Sequence, residues 1–220
     1  DMVTEVLWHL FALEKQAEKA GGKVHVMLGN HEFMVLSREL GYINAKYKEA
    51  EKISGLTYYD EFSEKSVLGK WLRSKPVMVT IDQIIFIHAG ISTELIRRNL
   101  TMEQVNRRFS NHILGFDPAS FRADEELCFL NNDSGPLWYR GYFSDTTFCE
   151  SRIDSVLKFY NKKNIIVGHT INKGINSLFN NKIIGVDTGI MYNLSPEMLI
   201  YKNGAFYRST LTGKRISISS

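Results

Sequence analysis

The stretch IIFIHAG, residues 84–90, is an apolar run that ends on a histidine and a glycine. Two later stretches have the same form: IIVGHT, residues 165–170, and IIGVDTG, residues 183–189. Runs that are apolar throughout are typical of strands covered on both faces. Since helical segments lie between these strands, the sequence predicts an α/β fold, a layered sandwich of mixed β-sheets flanked by helices.

Residue spacing and turn signals predict the remaining elements. Helices are expected over 1–20, over 33–52 with a break at Gly41, over 93–112 and over 151–161. Strands are expected over 24–28, 77–81, 84–87, 164–167, 182–186, 198–202 and 205–208. The stretch 115–150 predicts irregular structure. A length of 220 residues fits one domain, 1–220.

Polar residues follow several of these strands directly. Asn30 follows the first strand, and His88 and His169 each end one of the apolar runs. Ligands of α/β sheets bind at the carboxyl ends of the strands. We therefore expect these three side chains to meet at one divalent ion, since imidazole and amide oxygen suit Mn²⁺, Fe²⁺ or Zn²⁺. Asp187 has two open interpretations, a supporting site residue or an ordinary turn.

The other histidines lack such a setting. His9, His25 and His112 are interpreted as structural or surface residues. Glu32 is expected to act as a hydrogen-bond acceptor behind the site, or as the acidic residue of the first turn of a helix.

The motifs GNHE, HAG and GHT, in this order and at these distances, resemble those of the calcineurin-like metallophosphoesterases. Three further stretches narrow the resemblance to the bacterial Shewanella-like, PPP-type protein phosphatases. They are LGKWLRSKP (68–76), SGPLWYRGY (134–142) and VDTGI (186–190). The resemblance covers nearly all of the chain.

The resemblance implies a metal-dependent phosphoester hydrolase that uses metal-activated water. Such an enzyme is a phosphomonoesterase, with Ser/Thr/Tyr protein phosphatases among the candidates, and it holds two divalent ions (Mn, Fe or Zn). On the family pattern, Asn30, His88 and His169 resemble ligands of the second metal. His31 resembles the general acid, and Arg140 resembles a phosphate-binding arginine.

Two side chains have supporting roles in this comparison. Glu32 would support the turn that presents the GNHE motif. Arg73, in WLRS, is a weaker candidate for phosphate binding, and an arginine at the surface or the edge of the core is the other interpretation.

Two family motifs, GDxHG and GDxxDRG, are absent from this sequence. Asp1 resembles the residue directly after the second motif, so the fold is expected to lack its first strands. We expect this chain alone to hold at most one metal ion, weakly, and to have little or no activity. An exposed sheet edge would then allow self-association.

The substrate remains open between phosphorylated proteins and small phosphoesters. One alternative is a dinucleoside polyphosphate hydrolase. Another is a non-catalytic binding module, a pseudo-phosphatase that keeps the histidines as relics.

Composition excludes some classes. With 27 Lys and Arg against 24 Asp and Glu, the net charge of +3 gives no case for nucleic acid binding. No apolar run is long enough to span a bilayer. Cys128 and Cys149 are expected to be two buried free thiols, with one disulfide as the alternative. The compartment stays open between cytoplasm and periplasm.

Overall fold

The structure, a computed structural model, describes residues 2–115, 117–194 and 196–218. Asp1, which the sequence compares with a motif residue, lies outside the described residues.

The chain divides into two compact units. The first comprises Asp1–Val77 and Asn106–Ala123, and the second comprises Met78–Val105 and Asp124–Ser220. The prediction of one domain over 1–220 stays a prediction.

Helices dominate the first unit and flank the sheets of the second. They are α1 (Val3–Lys19), α2 (Asn30–Leu36), α3 (Ala45–Ser54), α4 (Val67–Arg73), α5 (Thr93–Arg97), α6 (Met102–Leu114), α7 (Pro118–Ala123), α8 (Glu125–Leu130), α9 (Gly141–Ser144) and α10 (Glu150–Phe159). Two 3₁₀ helices span Tyr58–Phe62 and Ile190–Tyr192.

The second unit contains two sheets. Their strands are β1 (Met78–Ile81), β2 (Ile84–Ile87), β3 (Asn164–Val167), β4 (Asn176–Leu178), β5 (Ile183–Gly185), β6 (Glu197–Lys202), β7 (Ala205–Thr210) and β8 (Arg215–Ser217). The larger sheet has the order β1-β2-β3-β5-β4, and the smaller one has the order β6-β7-β8. This arrangement of mixed sheets and helices confirms the predicted α/β fold class.

The centre of the larger sheet is parallel. β2 pairs in parallel with β3, and β3 pairs in parallel with β5. The register aligns Ile87 with Val167 and Val167 with Gly185. The carboxyl ends of all three strands therefore lie side by side, which is the geometry that brings their following residues to one edge.

One hydrophobic cluster joins the two sheets. Ile84, Ile166 and Ile184 of the larger sheet are buried with Phe206 of β7. The alternate residues on the opposite face, such as Ile85 and Ile165, are also buried. Burial on both faces explains why these strands are apolar throughout.

The first unit is built around aromatic contacts. Phe33 of α2 meets Phe109 of α6 edge to face, with ring centroids 5.0 Å apart. Tyr58 contacts Tyr47 of α3 at 4.8 Å and Phe62 at 4.9 Å. These contacts bury the apolar stripes that the helical spacing predicts.

Several predicted elements are corrected by the structure. Residues 24–28 form no strand, although the Leu28 N–H donates to the carbonyl of Pro76 at 2.9 Å. This single bond does not make a ladder, and Pro76 has no N–H that could add one. The strand 182–186 is shorter than expected, and β4 and β8 are absent from the sequence prediction.

The predicted helix over 93–112 is two helices. Thr101 interrupts it, because its hydroxyl accepts from the Gln104 N–H at 3.2 Å while the Gln104 side chain accepts from the Thr101 N–H at 2.8 Å. Such a reciprocal pair starts a new helix. The stretch 115–150 contains three short helices rather than none.

Cys128 and Cys149 are both thiols and are not joined in a disulfide. Cys128 is half-buried, but Cys149 is exposed, so the expectation of two buried thiols is wrong for Cys149. This exposure follows from its position directly before α10. In the described residues, no helix is both long and apolar enough to cross a membrane.

Candidate functional site

His88 and His169 are in contact at the carboxyl edge of the larger sheet. His88 directly follows β2, and His169 follows β3 after Gly168. The His88 Nε2 and His169 Nδ1 atoms lie 3.0 Å apart, and the ring centroids are separated by 4.8 Å. The sheet register therefore brings together two imidazoles that are 81 residues apart in the sequence.

The backbone at this edge is constrained. The Gly168 N–H donates to the His88 carbonyl at 2.8 Å, which joins the two turns. His169 has a φ of 61°, in the left-handed region. Side chains with a Cβ adopt this conformation at a cost of about 1–2 kcal/mol. Strain of this kind is concentrated at functional sites.

The segment SGPLWYRGY (134–142) packs on the turn that follows His88. The Ala89 N–H donates to the Pro136 carbonyl at 3.1 Å. A Cβ at Gly90 would meet the Tyr142 ring at 2.8 Å, so only glycine fits there without a shift. Burial raises the pKa of the Tyr142 hydroxyl well above its ordinary value, which keeps this packed group neutral.

Two side chains of the same segment reach His169. The Trp138 ring stands edge to face with the His169 ring at 5.9 Å. The Arg140 Nη1 donates to the carbonyl of His169 at 2.7 Å. Arg140 is exposed, and this bond uses one of its five N–H donors, so the guanidinium is held at the backbone of His169.

Asp187 lies at the end of the third parallel strand. Its Oδ1 accepts from the Gly189 N–H at 3.0 Å, and its carbonyl accepts from the Asn172 N–H at 2.8 Å. This carboxylate therefore organises its own turn, as one of the two sequence interpretations states.

Two buried hydroxyls are found next to these residues in sequence. The Oγ1 atoms of Thr170 and Thr188 are buried without a hydrogen-bond partner within the part of the chain that the structure describes. Buried polar atoms normally find a partner, so a bound group or water is expected at this edge.

The GNHE motif lies in the first unit. Asn30 is buried and begins α2. His31 is exposed, and its ring meets Tyr42 edge to face at 5.4 Å. The Glu32 carboxylate accepts from the Gly29 N–H at 3.0 Å, which holds the turn before α2.

Arg73 is buried in the same unit, at the end of α4. Its Nη1 donates to the carbonyl of Phe62 and, at 3.1 Å, to that of Gly69. Its Nη2 lies 3.3 Å from the Tyr59 hydroxyl. These contacts favour the interpretation of Arg73 as an arginine that organises the core edge.

The remaining histidines have the settings expected from the sequence. His9 and His25 are exposed, and His112 is buried between Phe33 and Phe121. Across residues 2–115, 117–194 and 196–218, no group of three or more His, Cys, Asp or Glu side chains could hold a metal ion. His88 and His169 are brought together, whereas the convergence of Asn30 with them stays a prediction.

Sequence reasoning gave no individual role to Trp138, Tyr142, Thr170 or Thr188. The stretch SGPLWYRGY was recognised only as part of the resemblance. Its three aromatic residues around one arginine are the signal that could have indicated a packed wall next to a strand end.

Comparison with solved structures and curated proteins relates this geometry to known phosphatases. The cold-active protein-tyrosine phosphatase of a psychrophilic Shewanella species superposes with a TM-score of 0.93 at 38% identity. The match covers 99% of this chain and 65% of that structure. No family model matches the chain.

Among curated proteins, an uncharacterized protein of Schizosaccharomyces pombe is 31% identical over 188 residues, which cover 81% of this chain and 54% of that protein. Shewanella-like protein phosphatase 1 of Plasmodium berghei is 28% identical over 82% of this chain and 51% of its own length. A symmetrical bis(5'-nucleosyl)-tetraphosphatase of Vibrio vulnificus is more distant, at 23% over 83% of this chain and 76% of that protein. The chain thus spans about half the length of the first two.

Proposed function

We propose that this chain is part of a metal-dependent phosphoester hydrolase, because its sequence and fold are similar to those of the Shewanella-like protein phosphatases. The observation that carries the proposal is the contact of His88 with His169 at the carboxyl edge of three parallel strands.

The donor set fits a divalent ion. Two nitrogens bound to one tetrahedral zinc ion at about 2.0–2.1 Å each would lie about 3.3–3.4 Å apart. The His88 Nε2 and His169 Nδ1 atoms are separated by 3.0 Å, so a small rotation of the rings would bring them to that spacing. The Thr170 and Thr188 hydroxyls, which are next to His169 and Asp187 in the sequence, are buried without a hydrogen-bond partner within the described residues. We propose His88 and His169 as ligands of one ion and, within the first unit, Asn30 as a metal ligand, with Mn²⁺, Fe²⁺ or Zn²⁺ as the candidate ions. Such an ion, when bound, would act as a Lewis acid on a phosphoryl oxygen.

Arg140 is proposed to bind the phosphate. Its bond to the His169 carbonyl fixes the guanidinium at the backbone of this residue, and the remaining N–H donors can contact phosphate oxygens. The Arg140 carbonyl in turn accepts from the Ser144 hydroxyl at 2.8 Å, which holds its backbone.

His31 is proposed to donate a proton to the leaving oxygen. Its exposure leaves the ring accessible to a substrate, and the Glu32–Gly29 bond fixes the turn that carries it. A positioned imidazole is the commonest general acid in enzymes.

The proposed substrate is a phosphorylated protein or a small phosphomonoester. The non-catalytic module and the dinucleoside polyphosphate hydrolase are outcomes that the same experiment can reveal.

The test combines metal binding with hydrolysis. Mn²⁺ and Zn²⁺ titrations of the purified protein are compared with those of His88→Ala, His169→Ala and the control His9→Ala, which removes an exposed histidine elsewhere. We expect each site variant to lose at least about tenfold in affinity, with the control unchanged. If the metal affinity is unchanged in both His88→Ala and His169→Ala, the proposal is wrong.

Hydrolysis is then measured on p-nitrophenyl phosphate, a phosphopeptide and diadenosine tetraphosphate. Metal-dependent turnover of the first two supports the proposed phosphatase. Turnover of the dinucleotide alone identifies the other hydrolase. Metal binding without any turnover agrees with the expectation that this chain alone is inactive as well as with the non-catalytic module.

A further inference from the structure

An exposed apolar loop follows β5, the third parallel strand of the second unit. We refer to residues 190–194 as the 190–194 loop. Its side chains Ile190, Met191, Tyr192 and Leu194 are 64%, 80%, 61% and 37% exposed. Apolar side chains that are exposed singly are ordinary on a protein surface, whereas a contiguous group of them marks an interaction site. The loop therefore has the character of a contact surface.

The backbone of this loop is held in place by its own hydrogen bonds. The Tyr192 and Leu194 N–H groups donate to the Gly189 carbonyl at 2.9 Å and 3.3 Å. A Cβ on Gly189 would come within 2.9 Å of the Ile171 side chain and 2.7 Å of the Leu194 side chain. Ile171 and Leu194 therefore meet at Gly189, and the apolar surface continues from the loop to Ile171, which is 42% exposed.

This apolar surface is joined to the imidazole edge within the second unit. Ile171 is two residues after His169, and the Asn172 N–H donates to the Asp187 carbonyl at 2.8 Å, which links the turns after β3 and β5. Two residues of extended chain span about 7 Å. The Arg140 Nη1 donates to the His169 carbonyl at 2.7 Å. This nitrogen therefore lies within roughly 10 Å of the Ile171 Cα.

The charges near the loop separate two kinds of contact. Residues 188–194 contain no charged side chain, so the burial of apolar surface is the interaction that this stretch can offer. Arg140 supplies a positive charge and N–H donors that suit a phosphate group. The combination fits a ligand that carries a phosphate and an uncharged apolar group a short distance apart.

An anionic membrane would also combine phosphate with apolar groups, but the cations near the loop are few. Segments that bind anionic lipid carry about 4–8 Lys or Arg residues. Residues 164–194 contain two such residues, Lys173 and Lys182. The Lys182 ammonium is already bound to the carboxylates of Glu150 and Asp154, at 2.7 Å and 2.6 Å. The charges therefore favour a phosphorylated peptide over a lipid surface.

We propose that the 190–194 loop, together with Ile171, binds an uncharged apolar side chain of a phosphorylated protein, roughly one to three residues from the phosphorylated residue. This inference rests on the proposed function, in which Arg140 binds the phosphate. Each residue of an extended peptide advances by about 3.3 Å, so this spacing spans the distance between Arg140 and Ile171. Binding would remove exposed apolar surface of the loop from water, which is favourable.

The experiment measures binding instead of turnover, so it does not depend on the activity of this chain. Its peptides carry phosphonomethylphenylalanine, in which carbon replaces the ester oxygen of phosphotyrosine and prevents hydrolysis. One position, at one, two or three residues on either side, is Leu, Ala or Asn. By calorimetry, we expect the Kd of the best Leu peptide to be about tenfold below that of its Ala counterpart. Asn has the size of Leu without its apolar surface and should bind no better than Ala.

Equal Kd values for Leu and Ala at every position would overturn the proposal. So would the absence of binding by all peptides at millimolar concentration, whatever the metal titrations show.

Matched double variants locate the contact. Ile190→Ser/Met191→Ser removes apolar groups that are 64% and 80% exposed, and the control Met198→Ser/Leu211→Ser removes groups that are 64% and 82% exposed outside the loop. Because all four side chains are exposed, both variants should keep the thermal unfolding of the parent. The loop variant should lose the preference for Leu, and the control should keep it. A full preference in the loop variant would contradict the proposal.

Arg140→Ala separates this proposal from the proposed function. If this variant binds more weakly but Leu and Ala peptides are equal in the parent, the phosphate site stands and the loop proposal fails alone. If it binds as tightly as the parent while the preference for Leu depends on the loop, the apolar contact stands and the phosphate role of Arg140 fails.

Two further measurements test other occupants of the loop. A dimer of the parent in sedimentation velocity that is lost in the loop variant would assign the loop to a second copy of this chain. Co-sedimentation with phosphatidylserine vesicles that is lost in the same variant would assign it to a lipid surface. Either result, combined with equal Kd values for the Leu and Ala peptides, overturns the proposal.

Discussion

The Tyr142 hydroxyl is bonded to both backbone groups of Ile91. It donates to the Ile91 carbonyl at 3.0 Å and accepts from the Ile91 N–H at 2.9 Å. Both residues are buried. This single side chain therefore satisfies the backbone at the turn after His88, and it ties the segment 134–142 to the strand end that presents the imidazole.

Removing that hydroxyl should weaken the second unit. We expect Tyr142→Phe to lower the free energy of unfolding by about 1–3 kcal/mol, because it leaves the buried Ile91 N–H and carbonyl without their partner. Chemical denaturation measures the loss. Tyr139→Phe serves as the control, since the Tyr139 hydroxyl makes no hydrogen bond within the described part of the chain, and it should change stability by less than about 0.5 kcal/mol. Equal effects of the two substitutions would contradict this role of Tyr142.

The left-handed backbone conformation of His169 should lower the free energy of unfolding at a residue that we propose as a metal ligand. In metal-free protein, His169→Gly should be more stable than His169→Ala by about 1–2 kcal/mol, because glycine adopts a φ of 61° without strain. Both variants should lose metal binding. Thermal unfolding of the two variants side by side provides the comparison, and an alanine variant as stable as the glycine variant would show that the backbone relaxes.

Arg140 should affect phosphate binding more than folding. Its side chain is exposed, so Arg140→Ala should leave the free energy of unfolding within about 0.5–1 kcal/mol of the parent. Binding of inorganic phosphate, measured by isothermal titration calorimetry, should weaken at least about tenfold in that variant. Arg140→Lys should restore only part of the affinity, because an ammonium cannot bind two oxygens with a planar fork. Full rescue by lysine would indicate a role of charge alone.

Glu14 should make stability depend on acid pH. Burial alone would raise its pKa, but hydrogen bonds from Lys75 and Trp71 outweigh this and lower the pKa below its ordinary value of 4.5. Because the folded-state pKa is the lower one, the stabilisation is complete above the ordinary value and is lost as the pH falls through the lowered value.

We therefore expect Glu14→Gln to cost about 1–3 kcal/mol in unfolding free energy near pH 7, with the difference from the parent shrinking below about pH 4. Urea titrations over that range measure it. Glu18→Gln is the matched control, since the Glu18 carboxylate pairs with Lys15 at the exposed surface. A difference from the parent that is independent of pH would point to lost packing instead.

Local patterns were enough for several features of this chain. Strands 84–87 and 164–167 were predicted with their observed bounds, because an apolar run bounded by turn residues is a signal within a few residues. The first helix and the role of Glu32 at the turn before α2 were also accessible. The run 24–28 failed because its pattern describes burial, whereas a strand requires a partner that returns hydrogen bonds.

The sequence by itself determined which residues follow β2 and β3, and so which imidazoles could serve a metal. Only the tertiary structure decided that β2, β3 and β5 are parallel neighbours, that His88 touches His169, and that His169 is held in a left-handed backbone. It also decided that the Arg73 guanidinium donates hydrogen bonds to backbone carbonyls of its own unit, such as that of Gly69. The reason is physical: propensity and periodicity act over a few residues, while strand pairing and side-chain contact join segments some eighty residues apart and are set by packing across the whole sheet.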